Sequence, residues 1–251
     1  MFDWLYATNV AILYPLTVAL IAGAAELGAW FRQRSNVLAD EAPVGTLVGA
    51  VLGLLALLLA FSFSLALSRY EARQNWVLEE ANAIGSTANF ALMLPEPAQK
   101  PILHLLRDYT AVRIGLGGPE DPAKLTRDIA RSVELQNQLW QQAVTVTTAA
   151  PQALPTYRFV ASLNEMNNIH ESRPTALRYH VPGAVTVLLI VVAMVAAGFA
   201  GYYAGDRTAT FIMSLTIAVV ILLVIDLDRP ASGLIRVPVQ ALIDTQQAIP
   251  P

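Results

Sequence analysis

The chain has 251 residues, of which 55% are hydrophobic and only 14% charged, with a net charge of −3. Soluble domains carry about 25% charge, and nucleic-acid binding needs a concentrated basic face that this balance excludes. There is no cysteine, which excludes disulfides, thiolate catalysis, iron–sulfur clusters and Cys-ligated zinc.

Mean hydropathy is positive, and the first reading is a membrane protein. The opening decapeptide MFDWLYATNV has no Lys or Arg, so it lacks the basic region of a signal peptide, and the first apolar run is expected to be a retained span. Four runs have the length of a membrane-crossing helix, roughly 17–25 residues: about 8–31, 44–68, 181–205 and 208–225. Only the first holds a charge, Glu26. They form two pairs with short connections, residues 32–43 and Gly205-Asp206-Arg207, and the two pairs flank a middle segment of about 110 residues.

With four spans, the middle segment and both termini share one side. Arg69, Arg73, Arg173, Arg178, Arg229 and Arg236 lie near the membrane there, against Arg32, Arg34 and Arg207 opposite. The positive excess marks the cytoplasm. The middle segment reads as helices throughout. Pro95 and Pro97 close the first of them, and PILHLLRDYTAVRIGL places Ile102, Leu105, Leu106 and Val112 at helical spacing. Gly117-Gly118-Pro119 is a turn, and Asp121-Pro122 a helix start. The helix over about 122–147 is expected to put Leu125, Ile129, Val133, Leu139 and Trp140 on one stripe, interrupted by Gln136. A last helix follows Pro151 and Pro155, runs to about His170, and is interrupted near Pro174.

The second span has no evident end. AFSFSLALSRYEARQNWVLEEANAIG passes from apolar to charged with no Gly or Pro between Gly53 and Gly85. A helix from Thr46 to Asn82 is roughly 54 Å long at 1.5 Å per residue, against a hydrocarbon core of ~30 Å. One face, followed in steps of three or four, is small or polar: Thr46, Ala50, Gly53, Leu57, Ala60, Ser64, Ser68, Glu71, Asn75, Glu79 and Asn82. Two readings stand. Small residues let membrane helices approach closely, and Gly45, Gly49 and Gly53 suit this. Alternatively the stripe faces a shared aqueous axis, with an apolar constriction at Leu57 or Phe61 that gates by dewetting. Arg69, Glu71 and Arg73 at the membrane exit either anchor the helix and meet anionic lipid or set the local ion concentration at a pore mouth.

Other charged positions carry paired readings. Glu26 either snorkels to the interface or pairs within the bundle, with Arg207 as the candidate partner. Asp226, Asp228 and Arg229, in DLDRP, either bind a cation or fix the helix end through an ion pair. The following SGLIRVPVQALI is expected to lie in the interface or against the bundle. His104, His170 and His180 show no metal spacing, and no enzyme motif is present.

The stretches LLLAFSFSLALSRYEARQNWVLEEANAIG and, far downstream, DLDRPASGLIRV resemble the bestrophin-like family of bacterial and plant membrane proteins, over about residues 45–240. That resemblance extends distantly to bestrophins, pentameric anion channels whose second span lines a narrow apolar neck. It implies neck-like roles for Leu57, Phe61 and Leu65, with Ser64 and Ser68 beside them. Of the acidic calcium cluster that bestrophins carry after the last span, only Asp226 and Asp228 have counterparts, so calcium gating is not implied. The expected protein is all-α and polytopic. A first transmembrane pair covers 1–69, a cytoplasmic helical region continuous with the second span covers 70–179, and a second pair with a C-terminal interfacial segment covers 180–251. The expected function is a homo-oligomeric, pentameric channel of the bacterial inner membrane, passing small ions, by default anions, with no cofactor, metal or enzymatic step. The alternatives are a cation channel of the same architecture and a membrane-anchored scaffold or sensor for a cytoplasmic partner.

Overall fold

The computed structural model describes residues 10–34, 41–116, 122–203, 206–229 and 233–251. The expected Gly117-Gly118-Pro119 turn, the Asp121 cap, Gly205, Pro230 and residues 35–40 of the first connection lie outside the described residues, as does the side chain of Arg178. The described residues form helices α1 Val10–Arg34, α2 Glu41–Ala91, α3 Gln99–Gly115, α4 Pro122–Ala149, α5 Leu154–His170, α6 Ser172–Arg178, α7 Gly183–Tyr203, α8 Arg207–Asp228 and α9 Gln240–Ala248, with no strand among them. Helices α1, α2, α7 and α8 are long and apolar enough to cross a membrane. The fold is that of an all-α polytopic membrane protein with four transmembrane helices.

Two compact units are present, one of residues 1–69 and 180–235, the other of 70–179 and 236–251. The first is built on α1, α7, α8 and the start of α2. Its core holds Ile21, Leu55, Leu189, Ala193, Ala196, Ala197 and Ile221. Apolar burial drives little here, since lipid tails are as apolar as the core, so close packing carries the association. Glycines make it possible: a Cβ on Gly28 would lie 2.0 Å from the Gly198 carbonyl oxygen, and one on Gly201 would lie 1.9 Å from that of Ala25. Helices α1 and α7 therefore touch backbone to backbone. The close-packing role that the sequence suggested for Gly45, Gly49 and Gly53 is not met within the chain, because a Cβ on any of them meets nothing within 4 Å. Helix α8 starts with Asp206 as its N-cap, whose carboxylate accepts from the Thr208 amide at 2.8 Å.

The second unit packs the end of α2 with α3, α4, α5 and α9 around Val77, Ile84, Leu106, Tyr109, Leu135, Leu139, Phe159 and Leu163. Here water is the reference, and each fully buried Leu, Ile or Phe contributes roughly 1.5–3 kcal/mol. The stripe of α4 differs from expectation. Ser132, Leu135, Leu139, Ala143 and Val146 are buried, while Val133 and Trp140 are 39% and 41% exposed. Steps of three and four run from Ser132 to Val146 through Leu135, Leu139 and Ala143, so the small Ser132 and Ala143 let the neighbours close in while Val133 and Trp140 fall on the outer side. The break expected near Pro174 sits instead at Glu171, between α5 and α6; Pro174 lies in the first turn of α6, where its missing N–H costs nothing. The C-terminal segment, expected in the interface or against the bundle, places Leu242 at 0% and Ile249 at 3% exposure within this second core.

Candidate functional site

Helix α2 runs unbroken for 51 residues and has one inward and one outward face. Leu55, Ser62 and Ala66 are buried in the first unit, and Arg73, Val77, Glu80 and Ile84 in the second. Their spacing by three, four or seven is a single helical face. The opposite side is the small and polar stripe. Every member of it, from Thr46 through Gly53, Leu57, Ser64, Ser68 and Glu71 to Asn82, is exposed. Phe61 and Leu65 share that outward side, at 67% and 37% exposure, beside Leu57 at 53%. The serines and the apolar candidates therefore do not divide into an inner and an outer set, because all five point away from the chain's own core.

The three charges at the foot of the span separate. Glu71 is exposed and Arg69 half-buried. Arg73 is 2% exposed and donates to the carbonyls of Tyr179 at 2.9 Å and Ala176 at 3.4 Å. It closes the C-terminal end of α6 and does not reach the stripe, which corrects its place beside Glu71 at a pore mouth. Its position was legible: Arg73 falls seven residues after buried Ala66 and four before buried Val77.

Glu26 and Arg207 form the ion pair that the sequence allowed, at 3.4 Å, with both side chains more than 60% exposed. Asp226, Asp228 and Arg229 are all buried. The Asp226 carboxylate accepts from the Tyr14 hydroxyl, from the Leu234 amide at 2.8 Å and from the Ile235 amide at 2.7 Å. Asp228 accepts from the Val181 amide at 2.9 Å, and the His180 Nδ1–H donates to the Asp228 carbonyl at 3.1 Å. Both oxygens of Asp226 are met by donors, and Asp228 is met at Oδ2. The two carboxylates fasten the end of α8 to α1, to the segment after it and to the start of α7, in keeping with the helix-fixing reading.

The second unit holds a buried ionic cluster that the sequence reading missed. Glu80 of α2 accepts from Arg113 Nε of α3 and, at 3.0 Å, from Arg173 Nη1 of α6, with all three side chains at most 4% exposed. Arg173 Nη1 also donates to the Arg113 carbonyl at 2.8 Å, and Arg113 Nη2 to the His170 carbonyl at 3.1 Å. The Nδ1 of His170 accepts from the Tyr109 hydroxyl at 3.0 Å and from Arg113 Nη1 at 3.3 Å, so the ring proton sits on Nε2. Burial, then the Arg113 charge, holds His170 down at about 4. Burial raises the Tyr109 hydroxyl and lowers Arg173. The cluster joins four helices, α2, α3, α5 and α6, through side chains bonded to one another and to backbone carbonyls. The available signal was register: Arg113 continues the buried series Ile102, Leu106, Tyr109, and Glu80 lies between buried Val77 and Ile84.

A family model described as a Bestrophin-like domain matches residues 16–242. A bacterial bestrophin homologue from Klebsiella pneumoniae is similar with a TM-score of 0.69 at 18% identity, covering 96% of this chain and 100% of that one. A tyrosine-to-alanine variant of that homologue gives 0.70 at 17% identity, covering 92% and 95%. At such identity the likeness is one of fold. No curated protein matches the chain.

Proposed function

Because the chain belongs to the bestrophin-like family, we propose that it is a passive ion channel in which several copies set the outward face of α2 around a shared axis. The observation that carries this is the stripe from Thr46 to Asn82, exposed along its whole length. Polar groups such as Ser64 and Ser68 are poorly accommodated against lipid, and within the chain Gly45, Gly49 and Gly53 meet nothing. A second copy, water, or both complete such a face. Leu57, Phe61 and Leu65 form the apolar constriction on this reading, and the pentamer follows from the family resemblance. No cofactor or chemical step is involved. The membrane is the bacterial inner membrane, with 1–69 and 180–235 carrying the two transmembrane pairs and 70–179 together with 236–251 the cytoplasmic region, oriented by the arginine excess on that side.

The burial of Arg73 shifts the preferred ion. With Arg73 withdrawn, the stripe below the membrane exposes Glu71 and Glu79, and a ring of carboxylates concentrates cations. Cation conduction is therefore the reading that this surface supports, over the anion default of the family resemblance. A scaffold role is favoured by one feature, the outward Val133, Trp140 and Val144 on α4, which are 39–55% exposed. Purified protein in planar bilayers under asymmetric potassium chloride separates these. Currents that reverse toward the potassium potential support the cation channel, reversal toward the chloride potential selects the anion channel, and silence from a monomeric particle leaves the scaffold.

A further inference from the structure

Helices α1, α7 and α8 of the first unit border a cavity of about 20 Å³. Its polar lining is Glu26 of α1 with Arg207, Thr210 and Ser214 of α8. Ser214 is 1% exposed, and its Oγ reaches no hydrogen-bond partner in the chain. Two other hydroxyls of α8 behave differently. Thr210 and Thr216 donate to the carbonyls four residues back, Asp206 at 3.0 Å and Ile212 at 2.9 Å, which is the usual outlet for a hydroxyl on a helix. Ser214 has the same option and does not take it. The Glu26–Arg207 pair is also incomplete as a bond. Its 3.4 Å separation exceeds the roughly 2.7–2.9 Å of a charge-assisted hydrogen bond, which leaves both groups able to meet a bridging partner.

We propose that this cavity is a binding site for one water molecule, which joins the Ser214 hydroxyl to the Glu26–Arg207 pair. Size and charge select the occupant. A buried water needs about 10–15 Å³ and two to four polar partners. The cavity supplies the volume, and the Ser214 hydroxyl, the Glu26 carboxylate and the Arg207 guanidinium supply the partners. A cation there meets the Arg207 charge, an anion meets that of Glu26, and an apolar guest leaves the Ser214 hydroxyl unmet. Water alone satisfies all three groups. The molecule ties α8 to α1 beside Gly201, which lines the same cavity and lets α7 close on the Ala25 carbonyl. A polar link has value at this place, because apolar burial drives little between helices in a bilayer. The inference does not depend on the channel reading.

Crystals of the full chain grown in rubidium bromide test the site directly. A peak of electron density is expected at hydrogen-bond distance from Ser214 Oγ, with no anomalous signal at the rubidium or the bromine edge. A dry cavity overturns the proposal. So does an anomalous peak, which assigns the site to a cation or an anion according to the edge. Thermal unfolding in detergent gives a second reading that needs no crystal. Ser214→Ala takes one partner from the water and is expected to lower the midpoint by about 2–4 °C. A midpoint unchanged or raised marks a hydroxyl that had no partner to lose, and overturns the proposal.

Discussion

Glu80 of α2 and Arg113 of α3 form an ion pair with side chains 1% and 0% exposed, and Arg173 of α6 takes the second oxygen of the same carboxylate. Both partners of such a pair are stripped of water, so removing one leaves the other as an uncompensated buried charge. Glu80→Ala is expected to destabilise the protein by about 3–5 kcal/mol. Chemical unfolding of the purified protein measures it. A loss below about 1 kcal/mol, the level of an exposed pair, contradicts the assignment.

His170 gives this unit a pH dependence with a definite sign. The imidazole is held at about 4 when folded, against an ordinary 6.5. Between those values the unfolded chain takes up a proton there that the folded chain refuses, so stability is full above pH 6.5 and falls as pH drops toward 4. The total from this group is roughly 3 kcal/mol. Unfolding midpoints collected from pH 7.5 to 4.5 fall for the unsubstituted chain, and His170→Gln is expected to flatten that slope. An equal slope in both proteins contradicts it.

The glycines of the first unit divide sharply. Gly201→Ala drives a methyl into the Ala25 carbonyl and is expected to cost about 1–3 kcal/mol by overpacking. Gly53→Ala meets nothing within the chain, and adds helix propensity of up to about 1 kcal/mol. Thermal unfolding in detergent ranks the two variants, and the reverse order rejects the α1–α7 contact described above.

Asp226 is the acceptor for three donors, the Tyr14 hydroxyl and the amides of Leu234 and Ile235. Asp226→Ala leaves them without an acceptor, at about 1–3 kcal/mol for each one left buried, whereas Tyr14→Phe removes a single bond worth about 1 kcal/mol. Limited proteolysis near residue 234 is expected to accelerate in Asp226→Ala and to change little in Tyr14→Phe. A calcium dependence of the unsubstituted protein that Asp226→Ala abolishes would restore the cation-site reading.

Helix α2 was legible because continuity leaves a plain mark: a run free of Gly and Pro from Leu54 to Ile84 keeps its ladder of hydrogen bonds wherever the surroundings change. The polar stripe was legible for the same reason. The buried cluster was not, because Glu80 stands beside exposed Glu79 and reads as one more solvated charge, and its arginine partners come from 33 and 93 residues away. Arg73 was misplaced by chemistry that ranks above register in a sequence, since an arginine just past an apolar span looks like an anchor. On α4, Trp140 drew the stripe by hydrophobicity alone, while the helix buries Ser132 and Ala143, small residues that only the closeness of a neighbour makes valuable. The spans and the outward face could be read from composition and period; pairing across the fold could not.

Because the chain has no cysteine, thiol labelling tests the outward face of α2 with no background. Ser64→Cys and Ser68→Cys proteins are placed in planar bilayers and treated with a membrane-impermeant charged thiol reagent, with Leu188→Cys on α7, 51% exposed, as the control on another surface. The account predicts that the reagent changes the current through both serine positions and leaves Leu188→Cys unaltered. Current that persists unchanged through Ser64→Cys and Ser68→Cys after stoichiometric labelling, or no current from any of the proteins, contradicts the claim that this face lines the ion path.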